Sequence, residues 1–193
     1  MADITIYIGN KNYSSWSMRP WLALKHAGAA FEEVMIRLDR AAAGDALAAE
    51  TTANLREHSP SGRVPVLRHG TITVWESLAI CEYLSERFPA ARLWPDDRAA
   101  RAHARAVSNE MHAGFGALRD HLPMEISRRW PLGGRIAKVQ SDIDRIAAIW
   151  RECRDRFGRS GANGSGDFLF GGFSIAAAMF APVTTRFVTY GVP

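Results

Sequence analysis

The chain has 193 residues, 47% of them hydrophobic, enough to bury a core in one domain or two small ones and too many for a chain disordered at large. Its net charge of +4 is mild, and Lys and Arg are spread along the chain without a dense basic run, so nucleic acid is not an expected partner while anionic small molecules are. No apolar run is long enough to cross a bilayer, and Met1 to Ile8 lacks the order of a signal peptide, so a cytoplasmic protein with no membrane partner is expected.

In chain order, Ile4, Ile6 and Ile8 alternate as a strand, and a helix follows from about Ser15 to His26, where Gly28 can stop it. A second strand is expected from Phe31 to Leu38. An Ala-rich stretch with a short helix then leads to the turn Ser59-Pro60-Ser61-Gly62. Val64 to Leu67 and Thr71 to Val74 flank the turn His69-Gly70 and read as a β-hairpin. The next helix carries Leu78, Cys81, Leu84 and Phe88 on one stripe and closes at Pro89.

Past Pro89 the pattern becomes helical. Leu93-Trp94-Pro95-Asp96-Asp97 reads as a linker ending in a helix start. One long helix is expected from Asp97 to His121 and another from Gly134 to Phe157, then a Gly- and Ser-rich flexible loop from Gly158 to Gly166. A last helix begins after Ser174. Cys81 and Cys153 sit far apart inside helical patterns and are expected as reduced thiols, and no histidine spacing suggests a metal.

The chemistry gathers at Asn12-Tyr13-Ser14-Ser15-Trp16-Ser17, where a strand gives way to a helix. Helix starts carry unpaired N–H groups and about half a positive charge, so hydroxyls placed there suit an anion, although ordinary capping is the commoner use.

Three motifs in order resemble the cytosolic glutathione transferases, in particular serine-type, zeta-like bacterial relatives. Ser14-Ser15-Trp16-Ser17 resembles the serine loop of the zeta class, Val64-Pro65-Val66-Leu67 the strand that holds the family's cis-proline, and Trp75-Glu76-Ser77-Leu78 its acidic residue and serine at a helix start. The resemblance spans nearly the whole chain. It implies a thioredoxin-like glutathione-binding domain over 1–88, a linker at 89–96, an α-helical domain over 97–193, a homodimer, and detoxification chemistry with glutathione as cosubstrate and no metal.

It also implies site residues. Ser14 is expected to donate its O–H to the glutathione thiolate, with Ser15 as the second candidate through its hydroxyl or N–H. Lowering a thiol pKa of about 8.5 by two units takes about 2.7 kcal/mol, and a hydrogen bond to a charged group with a helix N-terminus supplies about that much. Trp16 either shields the sulfur or packs, and Ser17 is expected to cap the first turn. Arg63 and the Val64 backbone at Pro65 would hold the rest of the tripeptide, and Glu76 and Ser77 would read the γ-glutamyl zwitterion. On the acceptor side stand Met111 and Phe115, four apart on one helical face, and Arg119 one turn on; core packing and a solvated arginine are the commoner uses of such residues.

Two departures stand out. Relatives open their last recognisable helix with a capping box, whereas Ser174 is followed at the third position by Ala177. The chain also stops at Pro193, earlier than relatives do, and apolar surface of a shortened helical domain is expected to be left uncovered there. Conjugation of small electrophiles leads among the functions. Isomerisation of maleylacetoacetate comes second, since the loop lacks the cysteine usual at its third position, and a non-catalytic binding module is third.

Overall fold

A computed structural model of the chain describes residues 3–38, 48–158 and 163–193. Strand β1 (Ile4–Ile8) buries alternate residues, Ile4, Ile6 and Ile8, as its pattern requires. Helix α1 (Ser15–His26), strand β2 (Phe31–Met35), helix α2 (Ala49–His58), the hairpin β3 (Val66–His69) and β4 (Ile72–Trp75), and helix α3 (Ser77–Arg87) follow. The sheet order is β2-β1-β3-β4, with β1 parallel to β2 and antiparallel to β3. This is a thioredoxin-like β/α arrangement. Strand β2 ends at Met35, short of the expected Leu38, because Met35 faces Ile8, the last residue of β1; only the Ile36 N–H reaches back, to the Ile8 carbonyl at 2.8 Å. Most of the Ala-rich stretch, residues 39–47, lies outside the described residues.

The remainder is mostly helical: α4 (Arg98–Ala113), α5 (Gly116–His121), α6 (Ile136–Cys153) and α7 (Ile175–Tyr190). Helix α1 packs on both α3 and α7, and α7 also packs on α4. The hydroxyl-bearing start of α1 is thereby held between sheet and helices. Leu93 and Trp94, in the expected linker, are buried, and the Trp94 indole N–H donates to Glu82 at 2.8 Å.

The single helix expected over 97–121 is broken in two. The Gly114 N–H closes α4 on the Glu110 carbonyl at 2.8 Å, and Phe115 turns left-handed at φ 61° while its ring goes into the core. Helix α5 is then started from outside, by Asp142 of α6, whose carboxylate accepts the Leu118 N–H at 2.8 Å. That bond joins residues 24 apart, beyond any local pattern. Asp142→Ala is expected to remove a helix-start contact of about 1 kcal/mol and lower the Tm by about 2–4 °C, as differential scanning calorimetry would show.

Helix α6 likewise starts at Ile136 after a 3-10 turn over Gly133–Arg135, and widens to a π turn over Arg154–Gly158 instead of running on as α-helix to Phe157. Of the expected flexible loop, residues 159–162 lie outside the described residues; beyond them Asn163 is buried and its amide donates to the carbonyls of Arg92 and Phe173. Ser174 stands at the start of α7 without capping it. Its hydroxyl has no partner among the described residues, and the Leu93 carbonyl takes the Ile175 N–H at 2.8 Å instead.

Candidate active site

The start of α1 is built from three residues. Ser14, not Ser17, is the N-cap: its Oγ accepts from the Ser17 N–H at 3.4 Å. Ser17 is buried, and its Oγ accepts from the Ser14 hydroxyl at 2.7 Å and from the Gly9 N–H at 3.0 Å. Gly9 leaves room for this approach: a Cβ there would lie 3.1 Å from Ser14 Oγ and would push the end of the Leu38 side chain aside. The Ser15 N–H is already taken by the Tyr13 carbonyl at 3.0 Å, which removes it as a donor to a ligand in this conformation.

Two adjoining clefts open beside this turn, and Trp16 lines both. The larger, about 920 Å³, is bordered by Ser14, Ser15, Arg37, Arg63, Val64, Arg119 and Arg186, and none of its lining residues among those described is acidic. The smaller, about 510 Å³, is formed by Trp16, Ser61, Arg63, Val64, Pro65, Glu76, Ser77 and His112. The Val64–Pro65 bond is cis, and both residues lie just ahead of β3 rather than in it.

In the smaller cleft, Glu76 precedes α3 with φ 68°, a left-handed backbone that is unusual for a non-glycine residue and recurs at functional sites. Ser77 opens the helix, and its buried Oγ has no partner among the described residues. A buried hydroxyl without a partner is costly, and at a helix start the missing partner suits an anion. His112 reaches in from α4, its Nε2 3.8 Å from a Glu76 carboxylate oxygen. Burial, then the positive field of Arg19, lower its pKa below the ordinary histidine value, against the pull of Glu76, so the imidazole is neutral at pH 7.

Arginines surround Trp16. The guanidinium carbon of Arg19 lies 4.4 Å from its ring centroid and that of Arg119 lies 4.6 Å away, while the His112 ring meets it edge-on. Arg119 is not a solvated side chain: it donates to the Gly114 carbonyl at 3.1 Å and to the Met111 carbonyl, closing the end of α4. Burial lowers its pKa. Arg186, from α7, is buried and donates to the carbonyls of Leu122 at 2.9 Å and Pro182 at 3.0 Å; burial, then Arg119, lowers its pKa to about 10.

Of the residues singled out from the sequence, Ser14, Ser15, Trp16, Arg63, Val64, Pro65, Glu76, Ser77 and Arg119 line the two clefts. Ser17 lies beneath them. Met111 and Phe115 line neither: both are buried in the core, and the turn after Ala113 keeps them from sharing one helix. His112, Arg19 and Arg186 escape sequence reasoning, since only the folded chain brings α1, α4 and α7 together. Both cysteines are buried, with thiol pKa values pushed up by burial to about 12, far from thiolate chemistry. Among the described residues no group of His, Cys, Asp or Glu could hold a metal ion, and no helix is long and apolar enough to cross a membrane.

Residues 13–87 match the family described as the glutathione S-transferase N-terminal domain. The chain is 33% identical over 137 residues to a probable maleylacetoacetate isomerase of Caenorhabditis elegans, covering 70% of this chain and 59% of that protein. It is 34% identical over 115 residues to the maleylacetoacetate isomerase of Mus musculus, covering 60% of this chain and 50% of that one. The chain thus spans little more than half the length of these curated relatives. Among solved structures, a glutathione transferase homolog from Burkholderia gl BGR1 with bound glutathione superposes with a TM-score of 0.64 at 26% identity, covering 98% of this chain and 84% of that one. The theta class glutathione S-transferase of Xanthomonas axonopodis pv. citri, with glutathione bound, gives 0.65 at 26% identity over 93% and 80%.

Proposed function

We propose that the chain is a glutathione transferase that binds glutathione from Ser77 in the smaller cleft, past the shared Arg63 and Val64, to Ser14 on the larger one, where its sulfur is presented. In this reading residues 1–88 hold the tripeptide, 89–96 connect, and 97–193 wall the acceptor side. The observation that carries it is the orphaned, buried Ser77 hydroxyl at the start of α3, in the smaller cleft, which shares Trp16, Arg63 and Val64 with the larger cleft that the α1 cap Ser14 lines. Bound glutathione supplies a thiol whose ionised form is a nucleophile. The residues divide the rest. Ser77 and the first N–H groups of α3 take the γ-glutamyl carboxylate, and Glu76 takes the neighbouring ammonium. The Val64 peptide, outside the strand pairings, is free to pair with a short extended ligand. Ser14 donates its hydroxyl to the sulfur, so the thiol proton leaves for solvent without a dedicated base.

Calorimetric titration with glutathione tests this. The wild type is expected to bind, and Ser77→Ala to bind about tenfold or more weakly, since one hydrogen bond to a charged group is lost. Absence of binding at millimolar glutathione would refute the reading.

A second reading, glutathione-dependent isomerisation of maleylacetoacetate, is favoured by one feature of the larger cleft: its four arginines, Arg37, Arg63, Arg119 and Arg186, suit a dianionic acceptor. Turnover of maleylacetone against a neutral aryl halide separates the two. The curated relatives' names point the same way, whereas Trp16 occupies the loop position where that class usually has cysteine.

A further inference from the structure

We infer that Ser17 is a positioning residue for the sulfur-activating hydroxyl, the middle member of a chain that runs from the Gly9 N–H through Ser17 Oγ to Ser14 Oγ. The inference rests on the reading of Ser14 given above. Ser14 has a single hydroxyl proton, and in this structure it is turned toward Ser17, 2.7 Å away. To donate to a thiolate in the cleft, Ser14 must withdraw that proton. The contact between the two oxygens then survives only with its direction reversed, Ser17 donating and Ser14 accepting.

Ser17 is placed for this reversal. Its oxygen is fixed by the Gly9 N–H at 3.0 Å, a bond that uses a lone pair and leaves its own proton free to turn. The residue is buried, so no water competes for that proton. After the turn, Ser14 Oγ accepts from both the N–H and the O–H of Ser17 while donating to sulfur. An oxygen that accepts hydrogen bonds is a stronger donor, because the bonds in a chain polarise one another. The backbone just past β1 thereby reaches the sulfur through two hydroxyls, and a side chain at position 9 would press on Ser14, its Cβ 3.1 Å from Ser14 Oγ.

The test titrates the ultraviolet band of bound glutathione thiolate against pH in the wild type and in Ser17→Ala, Ser17→Thr and Ser17→Val. S-methylglutathione, which fills the same cleft and has no thiol proton, reports separately on whether the cradle is intact. Ser17→Ala is expected to raise the pKa of the bound thiol by about one unit while the affinity for S-methylglutathione stays within about twofold. Ser17→Thr is expected to keep the wild-type titration and its isostere Ser17→Val to lose it, and this pair decides the matter if the alanine variant does not fold. A thiolate pKa unchanged in Ser17→Ala or Ser17→Val would overturn the inference, as would a parallel loss of S-methylglutathione binding, which marks a purely structural role. A wild type that binds glutathione without a thiolate band would overturn the Ser14 reading itself, and is seen before any variant is made.

Discussion

Ser14→Ala is expected to raise the pKa of enzyme-bound glutathione by one to two units and to lower kcat/KM at pH 7 by about 10- to 100-fold, while Ser15→Ala stays within about threefold of wild type. The asymmetry follows from the geometry at the start of α1. Ser14 is half-buried at the rim of the larger cleft and its hydroxyl is bonded to another hydroxyl that can exchange roles with it. Ser15 is inside the first turn, nearly buried, with its N–H committed to Tyr13. Loss of the Ser14 cap also removes a contact to the Ser17 N–H, but at 3.4 Å that bond is long, so little helix stability depends on it. Affinity for S-methylglutathione is therefore expected to be retained while the thiolate band is lost. Equal effects from the two alanine variants would show that the sulfur lies between the serines and that neither hydroxyl is the dedicated donor.

How much of this was legible in the chain depended on how local the determinants are. The strand Ile4–Ile8, the helix from Ser15 and the start of α4 at Asp97 each follow from alternation or a cap within a few residues, and the structure has all three; the hairpin is also there, but His69 pairs with Ile72, so its turn is Gly70-Thr71 rather than His69-Gly70. The candidate site residues Glu76, Ser77 and Ser14 share this property, lying where a strand meets a helix. What escaped was decided across the fold. The turn at Gly114-Phe115 is sustained by a buried ring and by Asp142 from another helix, and the capping of α7 is taken over by a carbonyl at Leu93. Arg119 is spaced like a surface residue yet folds back onto the carbonyls that end α4, which turns it toward Trp16. Arg19, four residues from the helix start, is spaced no differently from an exposed helical arginine and is instead wholly buried.

That burial leads to the other large effect. No acceptor among the described residues meets any of the three Arg19 nitrogens, and burial first, then Arg119 and Arg186, hold its pKa down to about 9 from 12.5. A drop of that size opposes the charged folded form by roughly 5 kcal/mol, more than the ~1–2 kcal/mol that the Trp16 ring face returns. Exchanging an unpaired buried cation for an apolar side chain of similar length is stabilising by about 1–4 kcal/mol, so Arg19→Met is expected to melt about 2–16 °C above wild type near pH 7. The folded-state pKa lies below the unfolded one, so the penalty is fully present below about pH 9 and fades as pH rises through that value, where the folded chain releases the proton before the unfolded chain does. The gap in melting temperature between variant and wild type is therefore expected to narrow between pH 8 and pH 10. The same substitution removes positive charge from behind Trp16, at the wall shared by both clefts, and is expected to raise the pKa of bound glutathione and weaken anionic ligands. A group that costs the fold stability and supports an anion at the cleft is what a stability–activity trade-off looks like at one residue. A variant that melts below wild type by the same margin at every pH would show instead that the guanidinium is held by contacts that satisfy it, and the electrostatic account of this wall would fall with it.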